Sequence, residues 1–332
     1  MPIEILDISY AGEVKNIMLV KFITGFDSIN KGLIAVQPGI KKSMTVPTLD
    51  VSNIIQPRIE GEITAKHSGK MKVDKRMLIP QDIMIFMLFN PRNFETHWFA
   101  VQMNPKLLDA ELPVNVENAV VSRIMELGAN YLETAVWQSV KDQDAIDNAV
   151  ANGFADGDNR NIFFNGYLVR MLNDAAVIKV IATILTKANI FAELEKIKMA
   201  IPVAIKENPD LKYVMNPNTF EIYEMAQQGQ NFKGAVVTDA GKRSYAGKEI
   251  VVVTGIPDNT IAVSIYRKDL GGNLWLGVNE MNEEQILELK KYRPESEEFF
   301  IKGLVKIDAN YAFGEQTVLY TNWTPPTTYV AY

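Results

Sequence analysis

The chain has 332 residues, 47% of them hydrophobic and 22% charged, with no cysteine, two histidines and a formal net charge of −6. This composition suits a sizeable core and argues against disorder. It excludes disulfides, thiolate nucleophiles and cysteine metal sites, and it suits poorly a protein that grips nucleic acid through a broad basic surface.

Length alone allows one large or two smaller domains. The opening MPIEILDISY lacks a basic region followed by an apolar stretch, so no signal peptide is expected. Residues 1 to about 40 show no clean period and read as the ordinary start of a globular domain. From 41 to 80, Lys41, Lys42, Arg58, Lys66, Lys70, Lys72, Lys75 and Arg76 are interleaved with Glu60, Glu62 and Asp74. Thr45-Val46 and Ile63-Thr64 suit strands, and Gly61 and Gly69 suit turns. A long polar hairpin fits; it buries little by itself, and its charges read as a solvated surface.

Ile83 to Phe89 is the longest apolar run, too short to span a bilayer, and reads as a buried strand. Asn90 to Asn93 suits a turn. Phe94, Trp98 and Phe99 read as core anchors, Trp98 favouring packing over a ligand-stacking role. A long helix is predicted next, with Asn115 as N-cap and an apolar stripe of Val120, Ile124, Leu127, Tyr131 and Ala135, widened by Val121, Leu132 and Val136. It runs from 116 to 141, about 26 residues or roughly 39 Å.

A polar segment follows, with Asp142, Asp144 and Asp147, then Phe163-Phe164-Asn165-Gly166-Tyr167-Leu168 and an apolar run from Ala175 to Leu185. Ile190, Leu194, Ile197 and Ile201 recur at the spacing of one helix face, and Pro202 interrupts it. After a turn at Asn208-Pro209-Asp210, Leu211 to Met215 suits a buried strand. Asn216-Pro217-Asn218 opens a helix carrying Phe220, Tyr223 and Met225, which Gly229 can stop.

Gly229 to Gly241 reads as a polar loop. Ile250 to Val253 and Ile261 to Tyr266 read as strands, with Gly255-Ile256-Pro257 turning the chain between them, and Asn273 to Gly277 reads as another short buried piece. Phe299, Ile301, Gly303, Val305, Ile307, Ala309 and Tyr311 share one side of a long strand. Lys302, Lys306, Asp308 and Asn310 share the other, with Leu304 as an exception. Thr317 to Tyr320, after a turn at Gly314-Glu315, is its expected hairpin partner. The tail from Thr321 is aromatic and proline-rich.

No motif for chemistry emerges. Gly241 and Gly247-Lys248 miss the phosphate-loop spacing by one residue, and Glu249 stands where Ser or Thr is required. Asp156 and Asp158 begin like a calcium loop, but Arg160 and Tyr167 replace ligands. Glu283-Glu284 and Glu297-Glu298 read as solvated, and His67 and His97 are isolated. No catalytic, cofactor-binding or metal residue is assigned, and the chain is not expected to be an enzyme.

The series Ala200-Ile201-Pro202, Tyr213-Val214-Met215 and Asn216-Pro217 resembles the A-domain of tailed-bacteriophage major capsid proteins, the Hong Kong 97-type fold. The flanks fit: the long helix resembles the family's spine helix, with Glu133 and Trp137 toward its end. Asn165-Gly166 resembles a Phe-Asp-Gly motif with Asn for Asp. The resemblance covers roughly 40 to 320 and implies an α+β fold. In that fold 1–40 is an N-arm, 41–80 an E-loop hairpin reaching a neighbour, and 81–141 a P-domain with spine helix 116–141. Residues 142–297 form an A-domain, and 298–332 a strand returning to the P-domain plus the tail.

The resemblance implies self-assembly into hexamers and pentamers of an icosahedral head that encloses double-stranded DNA without reading its sequence. The implied partners are further copies, a portal, and scaffold or decoration proteins, with no membrane and no cofactor. The implied place is the virion, assembled in the host bacterial cytoplasm. No long fused scaffolding segment is expected. An encapsulin-like compartment shell is the second reading, and an α/β enzyme without a recognisable motif the third.

Overall fold

The computed structural model describes residues 8–10, 25–52, 55, 57–58, 70–90, 114–154, 161–228, 243–269, 271–279, 287–293 and 298–326. In chain order the first part holds β1 (Ile8–Tyr10), α1 (Asp27–Asn30), β2 (Ile34–Gln37), β3 (Met44–Ser52), β4 (Lys70–Leu78), β5 (Gln81–Phe89), α2 (Val114–Gln138) and α3 (Gln143–Asn152). Then come α4 (Tyr167–Asn173), β6 (Ile178–Ile181), α5 (Ile190–Ala200), α6 (Val203–Lys206), β7 (Leu211–Met215) and α7 (Pro217–Gln228). The last part holds β8 (Ser244–Tyr245), β9 (Lys248–Val252), β10 (Ile261–Ile265), β11 (Leu274–Val278), β12 (Leu287–Lys291), β13 (Phe299–Tyr311) and β14 (Val318–Thr321).

The strands form two six-stranded sheets and one separate ladder. The first sheet runs β1-β12-β13-β11-β2, with β5 on the other edge of β13; the second runs β6-β14-β10-β7-β9-β8; β3 and β4 pair alone. The thirteen-residue β13 is the axis of the first sheet because its alternation gives it one continuous apolar side. Ile301, Val305, Ile307, Ala309 and Tyr311 are buried there. Ile83 joins them from β5, and Ala129, Leu132, Ala135 and Val136 of α2 cover them together with Leu168 and Met171 of α4.

Of the stripe expected on the long helix, Leu132, Ala135 and Val136 are buried, but the buried side is wider in one direction and narrower in the other. Leu127 and Tyr131 are exposed, while Ala129, Glu133 and Trp137 are buried. The helix also starts at Val114, so Asn115 lies within it rather than capping it, and it ends at Gln138 rather than 141. The end has a clear cause. Val140 N and Asp142 N donate to the carbonyls of Asn161 and Ile162, Lys141 N donates to Asn165 Oδ1, and Gly166 N donates to Ser139 O. Those groups are drawn into pairing with 161–166 and are lost to the helix. Gly166 is required by this approach, since a Cβ there would lie 2.7 Å from the Trp137 carbonyl carbon. Asp142 then caps α3, a helix not anticipated, by accepting from Ala145 N at 3.0 Å.

The second core belongs to the other sheet. Ile190, Leu194 and Ile197 of α5, with Ile201, pack with Tyr213, Met215, Phe220, Tyr223, Ile250, Ile261 and Val263. As expected, α5 stops before Pro202. Pro202 sits at the N-cap of the short α6 with φ −57, not within its first turn, because its missing N–H costs nothing there. Met225 lies on the exposed side of α7.

The expected pairing of 317–320 with β13 does not form. β14 instead crosses into the second sheet, antiparallel to β10 and parallel to β6. Asn273, just before β11, holds that crossing. Its Oδ1 accepts from Ala312 N and Phe313 N at 3.0 and 2.6 Å, and its Nδ2 donates to Ser264 Oγ, Phe313 O and Thr317 Oγ1. The two hydrogens of Nδ2 are shared among three acceptors, and with the two bonds to Oδ1 this one buried amide fixes the bend that a hairpin turn would otherwise make.

Candidate interaction surface

Among the described residues, one face of the first sheet carries the helices and part of the other is bare. In the β5–β13 register Met84 stands opposite Leu304, Phe86 opposite Lys302 and Leu88 opposite Phe300. Strand geometry puts all six on the side away from α2. Met84, Phe86 and Leu88 are 56%, 48% and 41% exposed. The apolar run of β5 therefore is not the doubly buried strand its composition suggested; only Ile83 and Phe89 are buried. Leu304, the exception in the alternation of β13, belongs to this second apolar side. Lys306 pairs there with Asp82 at 3.2 Å. Contiguous apolar side chains exposed at this level on a folded body mark an interaction site.

The ladder of β3 and β4 is the second component. Nine residue pairs run from Met44↔Leu78 to Ser52↔Lys70. Among the described residues, β4 meets the body at its C-terminal end, where Arg76, Met77 and Leu78 are held, and a two-stranded ribbon without further cover is marginally stable in water. The expected strand at Ile63-Thr64 lies outside the described residues.

The charged residues of this stretch do not share one fate. Lys41, Lys42 and Arg58 are exposed, as a solvated surface requires, whereas Arg76 is an exception, held against Asp174 at 2.6 Å with both side chains about one-fifth exposed. Burial alone would raise Asp174, but hydrogen bonds from Tyr311 and Arg76 more than offset it and hold the carboxyl below its usual range. Asp308, on the polar side of β13, is buried, not solvated. Burial pushes it up, against the Arg170 guanidinium 2.7 Å away and the N–H groups of Ile79 and Ala309.

Glu133 and Trp137 meet at a buried joint. Glu133 accepts from the Ser28 hydroxyl and, at 3.3 Å, from Ser28 N; Trp137 Nε1 donates to Ser28 Oγ at 2.9 Å and to Glu133 Oε1 at 3.3 Å. Burial raises the Glu133 carboxyl, and these bonds only partly counter it. The joint binds α1 to the long helix. Residues 25–40 therefore belong to the body: Phe26, Leu33 and Ile34 are fully buried, and β2 pairs in parallel with β11. Sequence reasoning passed over them because so short a helix and strand leave no period.

Other exposed apolar side chains lie on the second sheet and its helices: Ile181 and Ile184 at and after edge strand β6, Met199 on α5 and Val203 on α6. Ala246-Gly247 forms the turn between β8 and β9, and Lys248, the first residue of β9, donates from Nζ to Asn208 O at 3.0 Å. His67, His97, Phe94, Trp98, Phe99, Asp156, Asp158, Glu283, Glu284 and Glu297 lie outside the described residues. No helix among the described residues is long and apolar enough to cross a membrane.

No family model and no curated protein matches the sequence. The fold does have relatives among solved structures. The chain is similar to a chain of the satellite phage P4 procapsid, with a TM-score of 0.57 at 12% identity, over 95% of this chain and 92% of that one. It is similar to a chain of the capsid of Myoviridae phage XM1, with a TM-score of 0.51 at 11% identity, over 90% and 92%. It is similar to the virus-like particle of Pyrococcus furiosus, with a TM-score of 0.50 at 13% identity, over 93% and 100%. The chain has the α+β Hong Kong 97-type capsid fold.

Proposed function

We propose that this chain is a phage major capsid protein, a structural subunit that assembles with copies of itself into hexamers and pentamers of an icosahedral head around double-stranded DNA. The observation that carries this reading is an unsatisfied apolar surface on a subunit that also extends a long ladder. The bare side of β5 and β13 needs a cover, and the nine-pair ladder of β3 and β4 needs a body. A second copy supplies both, and repetition around a closed symmetry covers every such surface. Each subunit thereby gains interface area beyond its compact body.

In this reading residues 41–80 are the E-loop. Residues 81–141 with the strand of 298–332 form the P-domain, and 142–297 the A-domain. The N-arm is confined to the chain before Gly25. Ile181, Ile184, Met199 and Val203 lie on the A-domain and meet other copies there. The acidic balance, −6 overall, suits DNA held by confinement and counter-ions rather than gripped by base reading. A portal and scaffold or decoration proteins complete the particle, built in the host cytoplasm, and the subunit itself has no catalytic role.

Electron microscopy of the expressed protein tests this. Closed shells of uniform size support it; a self-contained monomer under every assembly condition overturns it. The second reading is an encapsulin-like compartment, favoured by likeness to the archaeal virus-like particle over the whole of that chain. Shells isolated from the native source distinguish the two: DNA and a portal vertex mark the virus, an enclosed protein cargo the compartment.

A further inference from the structure

The root of the hairpin is built from two unlike halves. One is an apolar plug. Val46 and Leu78 are fully buried and pack with Ala35, Ile40, Trp275 and Ala312. The other is a polar clamp. Arg76 Nη2 donates to Asp174 Oδ2 at 2.6 Å, the Tyr311 hydroxyl donates to the same oxygen at 2.6 Å, and the guanidinium lies 4.3 Å from the centre of the Tyr311 ring. Gly314 makes room for it, since a Cβ there would stand 2.7 Å from Asp174 Oδ2. Beside it Asn310 Nδ2 donates to Met77 O at 2.8 Å, and Asp308 Oδ2 accepts from Ile79 N at 2.7 Å while its Oδ1 holds Arg170.

A clamp here matters because of leverage. The ladder has nine residues in each strand. At roughly 3.3 Å per residue it reaches about 30 Å, so a tilt of about 10° at the root moves its far end by about 5 Å. That exceeds the tolerance of a packed apolar contact, which fails within about an ångström. The apolar plug resists withdrawal but is not directional. Direction comes from groups with fixed geometry, and a guanidinium that lies over a ring while donating to a carboxylate has it.

We infer that Arg76, Asp174 and Tyr311 are positioning residues that fix the direction in which the hairpin leaves the body, and so hold it ready for a neighbouring copy. The second clause rests on the shell reading; the first is a property of the single subunit. The clamp joins β4, the loop after α4 and the end of β13, where the chain crosses to the second sheet. It therefore ties the hairpin's direction to the setting of both sheets.

The absence of cysteine allows a clean test in the full chain. Spin labels at Ser52→Cys on β3 and Lys198→Cys on α5 report the hairpin's direction by pulsed electron–electron resonance on unassembled subunits. A single narrow distance distribution is expected for the otherwise native chain. It should widen at least about twofold in Arg76→Ala and in the nearly isosteric Asp174→Asn, with Arg76→Lys between, because charge is kept but stacking is lost. Shell formation should slow about tenfold in the same variants, through the added cost of ordering the hairpin. An unchanged width in both Arg76→Ala and Asp174→Asn, with native circular dichroism, overturns the inference even if shells fail to form. A widened distribution in a chain that never makes shells keeps the clamp and removes the shell reading.

Discussion

Phe86 and Phe300 stand on adjacent strands with ring centroids 6.1 Å apart, on the side of the sheet away from α2. Pairs of this kind contribute beyond their area when water is excluded, and Phe86 is 48% exposed. In the proposed shell the pair belongs to an interface between copies. Phe86→Asp should leave subunit stability within about 1 kcal/mol, since the side chain is already half exposed. It should abolish or strongly reduce assembly. Urea midpoints and sedimentation profiles check the two halves separately, and normal shells from the variant count against this face.

Replacing residues 50–72 with a short glycine-rich link should leave a folded body. The plug at Val46 and Leu78 and the clamp at Arg76 remain, and the removed part of the ladder packs on little else among the described residues. We expect native-like circular dichroism and a thermal midpoint within a few degrees of the parent, with no closed shells by electron microscopy. Normal shells would show that the hairpin serves no neighbour.

Leu194 is fully buried in the second core. Leu194→Ala should cost about 2–5 kcal/mol through lost transfer and residual cavity. Leu194→Asp should prevent folding, because burying an unpaired charge costs several kcal/mol, comparable to total stability. Soluble yield and chemical denaturation are the measurements.

The pH dependence of stability should carry the mark of Glu133. Its folded pKa is raised, so its contribution is fully present below the unfolded value, about 4.3, and is lost as pH rises through the folded one. Glu133→Gln removes that slope but also costs about 1–3 kcal/mol, because Ser28 N loses an acceptor. Thermal midpoints of parent and variant across pH 4 to 7 should therefore converge as pH rises. Parallel curves would exclude an ionisable role for this carboxyl.

Asp174 has the opposite sign. Its folded pKa is lowered, so it stabilises the clamp above the ordinary carboxylate range and loses that contribution as pH falls through the folded value. The protection factors of the amides of Met77 and Ile79, exchange rates taken relative to the intrinsic rate at each pH, should fall in acid in the parent. In Asp174→Asn they should be low already at neutral pH, with little further change.

Much of the fold was legible because periodicity is a local record of which side is buried. Ile190, Leu194 and Ile197 announce α5, Pro202 its end, and Ile301 to Tyr311 the axis of the first sheet. The order of these pieces pointed to the capsid fold that the structural relatives share. Along β5 and α2 the local record failed, because Met84, Phe86, Leu88, Leu127 and Tyr131 look like core residues. Hydropathy states that a side chain avoids water, not whether its own chain or another one provides the shelter.

The amino-acid order by itself determined α2, α5, α7 and the longer strands, the two-residue alternation of β13 and the lack of any chemical motif. The tertiary structure alone decided that β14 leaves β13 for the other sheet, that residues 25–40 belong to the core, and that Arg76 and Asp308 are held rather than solvated. The physical reason is distance along the chain. Arg76 meets Asp174 across 98 positions, and Asp308 meets Ile79 across 229. Such partners leave no periodic trace, because charge and hydrogen bonding act between groups that folding, not sequence, makes neighbours.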